Sequence, residues 1–288
     1  MKLSAILTLH DRSFSDLQKV FDSLKNQAHD ELVIVFDQTP VVLADYCHDY
    51  WKADPRTVFT EAPDRAPGWR SPVKAWNAGF RKASGDVLYC FSSETVQAEG
   101  NVERARTMMD EDPEITRKVE EASTAAIRYR FPEYPWPSTV FTENIVLHGK
   151  VECSCGPDGK EVTWSDNSPG NLFGDAAHPR PLGFIWAAPA AAVKQIGGYD
   201  EAFDSGYWFD DDDFFFRLWD TGLDFVFDDS ISGIHLHHER PVLATEEGQA
   251  GIRKNAEYML WKHGFQSTNW GRLIGSVERR EGRTAWRH

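Results

Sequence analysis

No stretch of this 288-residue chain approaches the roughly eighteen consecutive apolar residues of a bilayer-spanning helix, and no basic segment followed by an apolar run marks a secretory leader. Cysteine is scarce: the four residues, at 47, 90, 153 and 155, have a spacing that suggests no disulfide framework. Both absences point to a reducing, cytoplasmic setting. Positive charge is in deficit too. With 31 Lys+Arg against 45 Asp+Glu the formal charge is −14, so the long-range field repels phosphate, and non-specific binding of nucleic acid or anionic lipid is not indicated. Internal repeats, low-complexity tracts and hydrophobic heptads are also missing, which leaves the oligomeric state open.

What is there suits a packed enzyme-sized core. Apolar residues make up 41% of the chain and aromatics 13%, enough for both a buried sheet and ring-lined clefts. Leu3 to Leu9 is a short apolar run ending in His10-Asp11-Arg12, the pattern of a buried strand. Phe14, Leu17, Phe21 and Leu24 follow at spacings of three and four behind Ser13, with Asp16 three residues on, which predicts a capped helix. Glu31 to Phe36 is a second strand ending at Asp37. Strand, helix and strand within about 35 residues make a βαβ unit and a parallel sheet. Thr57 to Thr60, a helix carrying Val73, Trp76 and Phe80, and the strand Val87 to Phe91 continue the pattern.

Regularity fails between 100 and 183, where Pro132, Pro135, Pro137, Pro157, Pro169, Pro179 and Pro181 interrupt an aromatic-rich stretch. Beyond Gly183 it returns: a strand over 184–187, a short helix, an acidic helix start at Asp210, a strand over 223–227, and a last helix from about Thr245 to His263 stopped by Gly264. The division expected is one α/β domain over 1–270, comprising a nucleotide-binding half (1–98), an irregular acceptor-side insertion (99–183), a catalytic half (184–240) and a C-terminal helix (241–270). Residues 271–288 read as a basic tail with Arg279, Arg280, Arg283 and Arg287.

Three segments carry the chemistry. The first is Thr8-Leu9-His10-Asp11-Arg12 together with Val35-Phe36-Asp37-Gln38-Thr39; the second is Lys74-Ala75-Trp76-Asn77-Ala78-Gly79-Phe80. The third and longest is Ile196-Gly197-Gly198-Tyr199-Asp200-Glu201-Ala202-Phe203 followed by Asp210-Asp211-Asp212-Asp213-Phe214-Phe215-Phe216-Arg217-Leu218. In this order they resemble the inverting glycosyltransferases of family two, the last matching that family's G-G-[FY]-D-E-x-F and E-D-x-D-L-x-x-R-L. The resemblance implies a GT-A, Rossmann-like fold: a mostly parallel central sheet flanked by helices, with an irregular excursion on the acceptor side. It implies donor contacts from Leu9, His10, Arg12, Asp37, Arg70, Lys74, Asn77, Ser92 and Ser93. By position Asp210 matches the family's Glu and Asp211 its catalytic base. Trp76 stands where the family has arginine.

Tyr89-Cys90-Phe91-Ser92-Ser93-Glu94 falls where the family carries its D-x-D metal motif, with Ser92 in place of the first acid and Glu94 at the second. Magnesium and manganese favour oxygen ligands. In Ile234-His235-Leu236-His237-His238, an extended backbone aims His235 and His237 to one side and His238 to the other. The resemblance then implies a divalent cation, Mn2+ or Mg2+, held by Glu94 with His235 or His237; Lys74 and Arg70 supply the charge if no metal binds. Crowded like charges at Asp210 to Asp213 raise some carboxyl pKa values, while Asp213 and Arg217, one helical turn apart, pair structurally. Cys153-Ser154-Cys155, with one intervening residue, lacks zinc-pair spacing. Trp186 and Trp208 are candidate acceptor-stacking rings.

The function expected is sugar transfer from a nucleotide-sugar donor, a UDP-sugar foremost, to the hydroxyl of an acceptor that is a glycan, protein, lipid or modified nucleic acid. One alternative is a degenerate sugar-nucleotide or glycan-binding module, motivated by Ser92. Another is a nucleotidyltransferase, disfavoured because no glycine-rich phosphate loop follows the first strand.

Overall fold

The computed structural model describes residues 1–64, 71–110, 145–153, 172–173, 175–236, 238, 244–264 and 274–288. The first βαβ unit forms as its pattern predicts. β1 (Leu3–Leu9) and β2 (Glu31–Phe36) pair in parallel, and α1 (Phe14–Lys25) between them starts at Ser13, whose hydroxyl accepts from the Asp16 N–H at 3.2 Å. α2 (Val41–Trp51) leads to β3 (Thr57–Glu61), and α3 (Val73–Lys82) to β4 (Val87–Ser92). After a tight turn come β5 (Thr95–Gln97) and α4 (Asn101–Asp110), then β6 (Ile145–Cys153), β7 (Leu172–Phe173), β8 (Ile185–Pro189) and α5 (Ala190–Gln195). A short 3-10 helix (Glu201–Ser205) precedes α6 (Asp210–Trp219), β9 (Asp224–His235), α7 (Glu246–His263), β10 (Ser276–Arg280) and β11 (Arg283–Arg287).

The strand order is β10-β11-β9-β6-β8-β4-β1-β2-β3, with β5 attached to β9 and β7 to β6. Along this path the strands run one way except β8 and β11. Two consequences follow for the site. The C-terminal ends of β1, β2, β4 and β9 share one rim, and the reversed β8 brings its N-terminal end there, with Ile185 opposite Phe91.

Both faces of the sheet are covered, which is why β1 and β2 are apolar at nearly every position instead of alternating. Leu3, Ala5, Leu7 and Leu9 pack with Leu17, Phe21 and Leu24 of α1, Leu43 and Trp51 of α2, and Val102 of α4. Ile6, Val33 and Val35 pack on the opposite face with Val73 and Trp76 of α3 and Phe214, Phe215 and Leu218 of α6. Each such side chain contributes about 1.5–3 kcal/mol by leaving water.

Several expectations are corrected here. Helix α2 carries little local signal in the sequence, because Pro40 offers no side-chain cap and Val41 and Val42 are exposed. Part of the supposed irregular insertion, 145–153, is β6, which lies between β8 and β9 in the main sheet. The basic tail is a hairpin turning at Gly282 (φ +67°). Thr284, Ala285 and Trp286 of β11 are buried on β9, Arg283 pairs with Asp228 at 2.6 Å and Arg287 with Asp224 at 2.7 Å. Thr245 caps α7 through the Gly248 N–H, and Gly264 ends it at φ +72°, as read. Among the described residues no helix is long and apolar enough to cross a membrane.

Candidate active site

The rim over β1 and β2 is closed by backbone bonds. Leu9 carries a fully buried side chain, and its carbonyl accepts from the Asp37 N–H (2.8 Å) and the Thr39 hydroxyl (2.5 Å). It therefore shapes the rim through its backbone and presents no side chain there. His10 Nδ1 donates to the Asp37 carbonyl at 2.6 Å, and Gln38 takes the left-handed conformation at φ +52°. Asp37 itself is almost wholly buried.

At the end of β4 the turn Ser93-Glu94 reverses the chain into β5, whose Thr95 pairs with His235 of β9. The Leu236 N–H donates to the Glu94 carbonyl at 2.7 Å, which fixes the turn against the end of β9. The Glu94 carboxylate then has His238 Nε2 at 3.1 Å, His235 Nε2 at 3.5 Å, and the guanidinium of Arg12 in contact. One ligand atom from each of Glu94, His235 and His238 lies within 4.8 Å of the others. Two imidazole nitrogens and a carboxylate oxygen fit a divalent cation of the manganese type better than magnesium, which prefers an all-oxygen octahedron.

His238 is a correction to the strand geometry. Strict alternation sends it away from His235, but β9 ends at His235 and the alternation with it, and His238 Nε2 lies 3.1 Å from the Glu94 carboxylate. His237 lies outside the described residues, as does Arg70. Ser92, at the place of the missing acid, shares a hydrogen bond with the Thr95 hydroxyl at 2.8 Å, and Ser93 is buried.

The acids sit at the N-terminus of α6, where Trp208 and Phe209 precede them at φ +63° and +65°. Two consecutive non-glycine residues in this region are strained, and such strain persists only where surrounding contacts impose it. Those contacts come from α7. Asn255 donates to the carbonyls of Phe203 (3.1 Å) and Trp208 (3.0 Å), while Gly251 lets α7 pack against the Tyr207 ring.

Asp211 is half-buried and accepts from the Tyr199 hydroxyl at 2.9 Å and the Gly183 N–H at 3.1 Å. Burial raises its pKa against these two bonds, which favour the carboxylate. Asp210, 8% exposed, accepts from Ser71 Oγ at 3.0 Å; burial and then the adjacent Asp211 charge push it up to about 8. Asp213 behaves oppositely. Burial works against its charge, yet His263, Arg217 and Lys262 outweigh that and hold it at about 2. The expected Asp213–Arg217 pair forms at 2.8 Å, and Lys262 joins Asp213 to Asp200 at 2.6 Å each.

Three expected contacts turn out differently. Asn77 donates to the Tyr199 carbonyl (2.9 Å) and Glu201 (3.1 Å) and accepts from the Tyr199 N–H (2.8 Å), because Gly198, at φ +76°, lets the two segments meet. Its amide positions Tyr199, and through it Asp211, instead of facing a donor. Lys74 is paired with Asp204 at 3.0 Å. Trp186 is 0% exposed, packed edge-on to Phe80 and Phe215 in the centre of the core, so it presents no face to an acceptor. Trp208, in contrast, is 48% exposed.

One dipeptide joins the two clusters. Gly183 donates to Asp211, while the Phe184 carbonyl accepts from the Ser92 N–H at 3.2 Å and its ring meets His235 edge-on at 5.0 Å.

The sequence model described as Glycosyl transferase family 2 matches residues 4–154. No curated protein matches the sequence significantly. Among solved structures, S. aureus TarS aligns with a TM-score of 0.51 at 14% identity, covering 93% of this chain and 45% of that one. GalNAc-T7, crystallised with UDP, GalNAc and Mn2+, aligns at 0.52 and 12% identity, covering 94% and 53%. The chain thus spans about half the length of these two proteins. At such identities the likeness establishes the fold, the GT-A arrangement of a central sheet flanked by helices.

Proposed function

The chain belongs to glycosyl transferase family 2, and from that membership we propose that it transfers a sugar from a nucleoside-diphosphate sugar to an acceptor hydroxyl, with inversion and with Asp211 as base. The observation that carries this reading is the Asp211 carboxylate, held by Tyr199 and Gly183 and linked through Phe184 to the Glu94 and His235 cluster. A base and an anion-stabilising site on one rim are what a displacement at an anomeric carbon requires.

In this reading Asp211 accepts the proton of the acceptor hydroxyl as its oxygen bonds to the anomeric carbon, and the bond to the nucleoside diphosphate breaks with its electron pair. Glu94, His235 and His238 are the residues that would hold a divalent cation, which would supply positive charge beside the leaving diphosphate. Asp37 and His10 line the donor end, where a UDP-sugar is the donor we favour. The open Trp208 ring, beside the acids, offers a stacking face for an acceptor. Burial favours the protonated form of Asp210, while the bonds from Tyr199 and Gly183 favour the charged form of Asp211. Residues 1–270 act as one catalytic domain, with the hairpin that follows completing its sheet. The buried free thiols Cys47 and Cys90 accord with a reducing, cytoplasmic setting.

Thermal-shift titration with UDP, GDP, dTDP and CMP, each with and without Mn2+, tests the donor site. A shift with one nucleotide that requires Mn2+ is expected; no shift with any of them refutes the reading. Asp211→Asn is expected to abolish nucleotide release from a turned-over donor while leaving nucleotide binding intact.

A further inference from the structure

Helix α6 begins without a side-chain cap. Phe209 holds its N-cap position in the left-handed region and offers no side-chain hydrogen bond, so the usual device that fixes a first helical turn is missing where the acids sit. Support comes instead from α3. The Ser71 hydroxyl donates to Asp210 Oδ1 at 3.0 Å, while Asn77 holds both the N–H and the carbonyl of Tyr199, whose hydroxyl reaches Asp211. Asn77 lies within α3 and Ser71 two residues before it, so one helix bears on both acids.

That helix is firmly seated. Val73 and Trp76 are buried in the core, and Gly79 packs so close on β1 that a Cβ there would lie 2.7 Å from Ile6 Cγ2. Ser71 is stiffly joined to α3, because the Pro72 ring holds its own φ, at −81°, and confines the preceding residue to extended backbone. The Ser71 N–H also donates to the Gly206 carbonyl at 3.2 Å, and Gly206 is backed by α7: a Cβ on it would lie 2.3 Å from Asn255 Oδ1. Ser71 is buried as well, so water competes little for its hydroxyl.

We propose that Ser71 is a positioning residue for the base: carried by α3, its hydroxyl fixes Asp210 and so the first turn of α6, which keeps Asp211 against Tyr199 and Gly183. This rests on the reading of Asp211 as base. Without the hydroxyl the turn has neither a cap of its own nor the outside bond that replaces one, and the two bonds to Asp211 loosen.

The test uses an Asp210→Asn background, in which an amide oxygen still accepts from Ser71 and Asp211 titrates without the Asp210 charge. The pKa of Asp211 is read from the NMR signal of its isotope-labelled carboxyl carbon, identified by its loss in Asp211→Asn. Burial keeps the Tyr199 hydroxyl protonated throughout. Adding Ser71→Ala is expected to raise this pKa by about 0.5 or more, because the bonds that favour the carboxylate weaken. Ser71→Thr, which keeps a hydroxyl, is expected to leave it where Ser71 does. Ser71→Cys, a weak donor of similar size, carries the comparison should Ser71→Ala fail to fold. An Asp211 pKa unmoved by Ser71→Ala, or raised equally by Ser71→Thr, overturns the inference. In the otherwise unaltered chain Ser71→Ala is expected to slow nucleotide release about tenfold with UDP affinity unchanged. If Asp211→Asn abolishes release and Ser71→Ala leaves it at the wild-type rate, the inference fails while the base reading stands. If Asp211→Asn releases nucleotide as the wild type does, the base reading fails and the inference with it.

Discussion

The Gly183 N–H donates to the Asp211 carboxylate at 3.1 Å, and the approach is so close that a Cβ on residue 183 would lie 2.6 Å from Asp211 Oδ1. The absent side chain is thus part of what aims the carboxylate. Gly183→Ala is expected to reduce kcat about 10- to 100-fold by displacing Asp211. Nucleotide affinity, read by thermal shift, should change little; an undisturbed kcat would remove Asp211 from the reaction.

Tyr199 is the other support. Removing its hydroxyl forfeits a hydrogen bond to a charged group, on the order of 1.5–3 kcal/mol, so Tyr199→Phe is expected to lower kcat roughly 10- to 100-fold. Since that bond favours the carboxylate, its loss raises the Asp211 pKa further, and the acidic limb of the pH–rate profile should move to higher pH. Asn77→Ala, acting on Tyr199 from behind, should move the limb the same way by less.

Asp210 makes stability depend on pH in a definite direction. Its pKa is raised in the folded chain from the ordinary 3.8 to about 8, mainly by burial. The folded state thus binds more protons than the unfolded one across that interval, and stability falls as pH rises from about 4 to about 8. Asp210→Asn keeps an oxygen for Ser71 but no charge. Its melting temperature should decline less between pH 6 and pH 8.5 than the wild type's, and an equal decline would count against the assignment.

Asp213 has the opposite sign. Its folded pKa, about 2, lies below the ordinary 3.8, so its contribution is full above about pH 4 and disappears as pH falls toward 2. It is 0% exposed and paired with Arg217, Lys262 and His263. Asp213→Asn leaves Arg217 and Lys262 uncompensated and is expected to destabilise the chain by about 3–5 kcal/mol at neutral pH. Chemical denaturation at pH 7 and pH 3 checks both parts, since the gap between variant and wild type should narrow in acid.

What the sequence made readable was local. Continuous apolar runs and a capped amphipathic stretch announce β1, α1 and β2, and the spacing from Gly197 to Arg217 announces the acidic helix. What it concealed depends on partners distant in the chain. Asn77 reads as a donor contact on the polar face of a helix until Tyr199, 122 residues later, takes its amide. His238 reads as facing away, because alternation assumes that β9 continues past His235. The terminal hairpin did carry a signal: Glu281-Gly282 is a turn pair, and Thr284, Ala285 and Trp286 can be buried together once β9 is there to receive them. Its arginines look like a solvated tail only while Asp224 and Asp228 are unaccounted for.

The reach of α7 also bears on the order in which a nascent chain acquires its chemistry. Tyr199 and Gly183 are synthesised before Asp211, but the Asp213 cluster waits for His263, 50 residues further along. A ribosome that has just added Trp219 has produced α6 with its buried Asp213 still lacking Lys262 and His263. Chains emerge N-terminus first, so the buried acid of α6 gains its full set of partners only once α7 has been made and has packed against it.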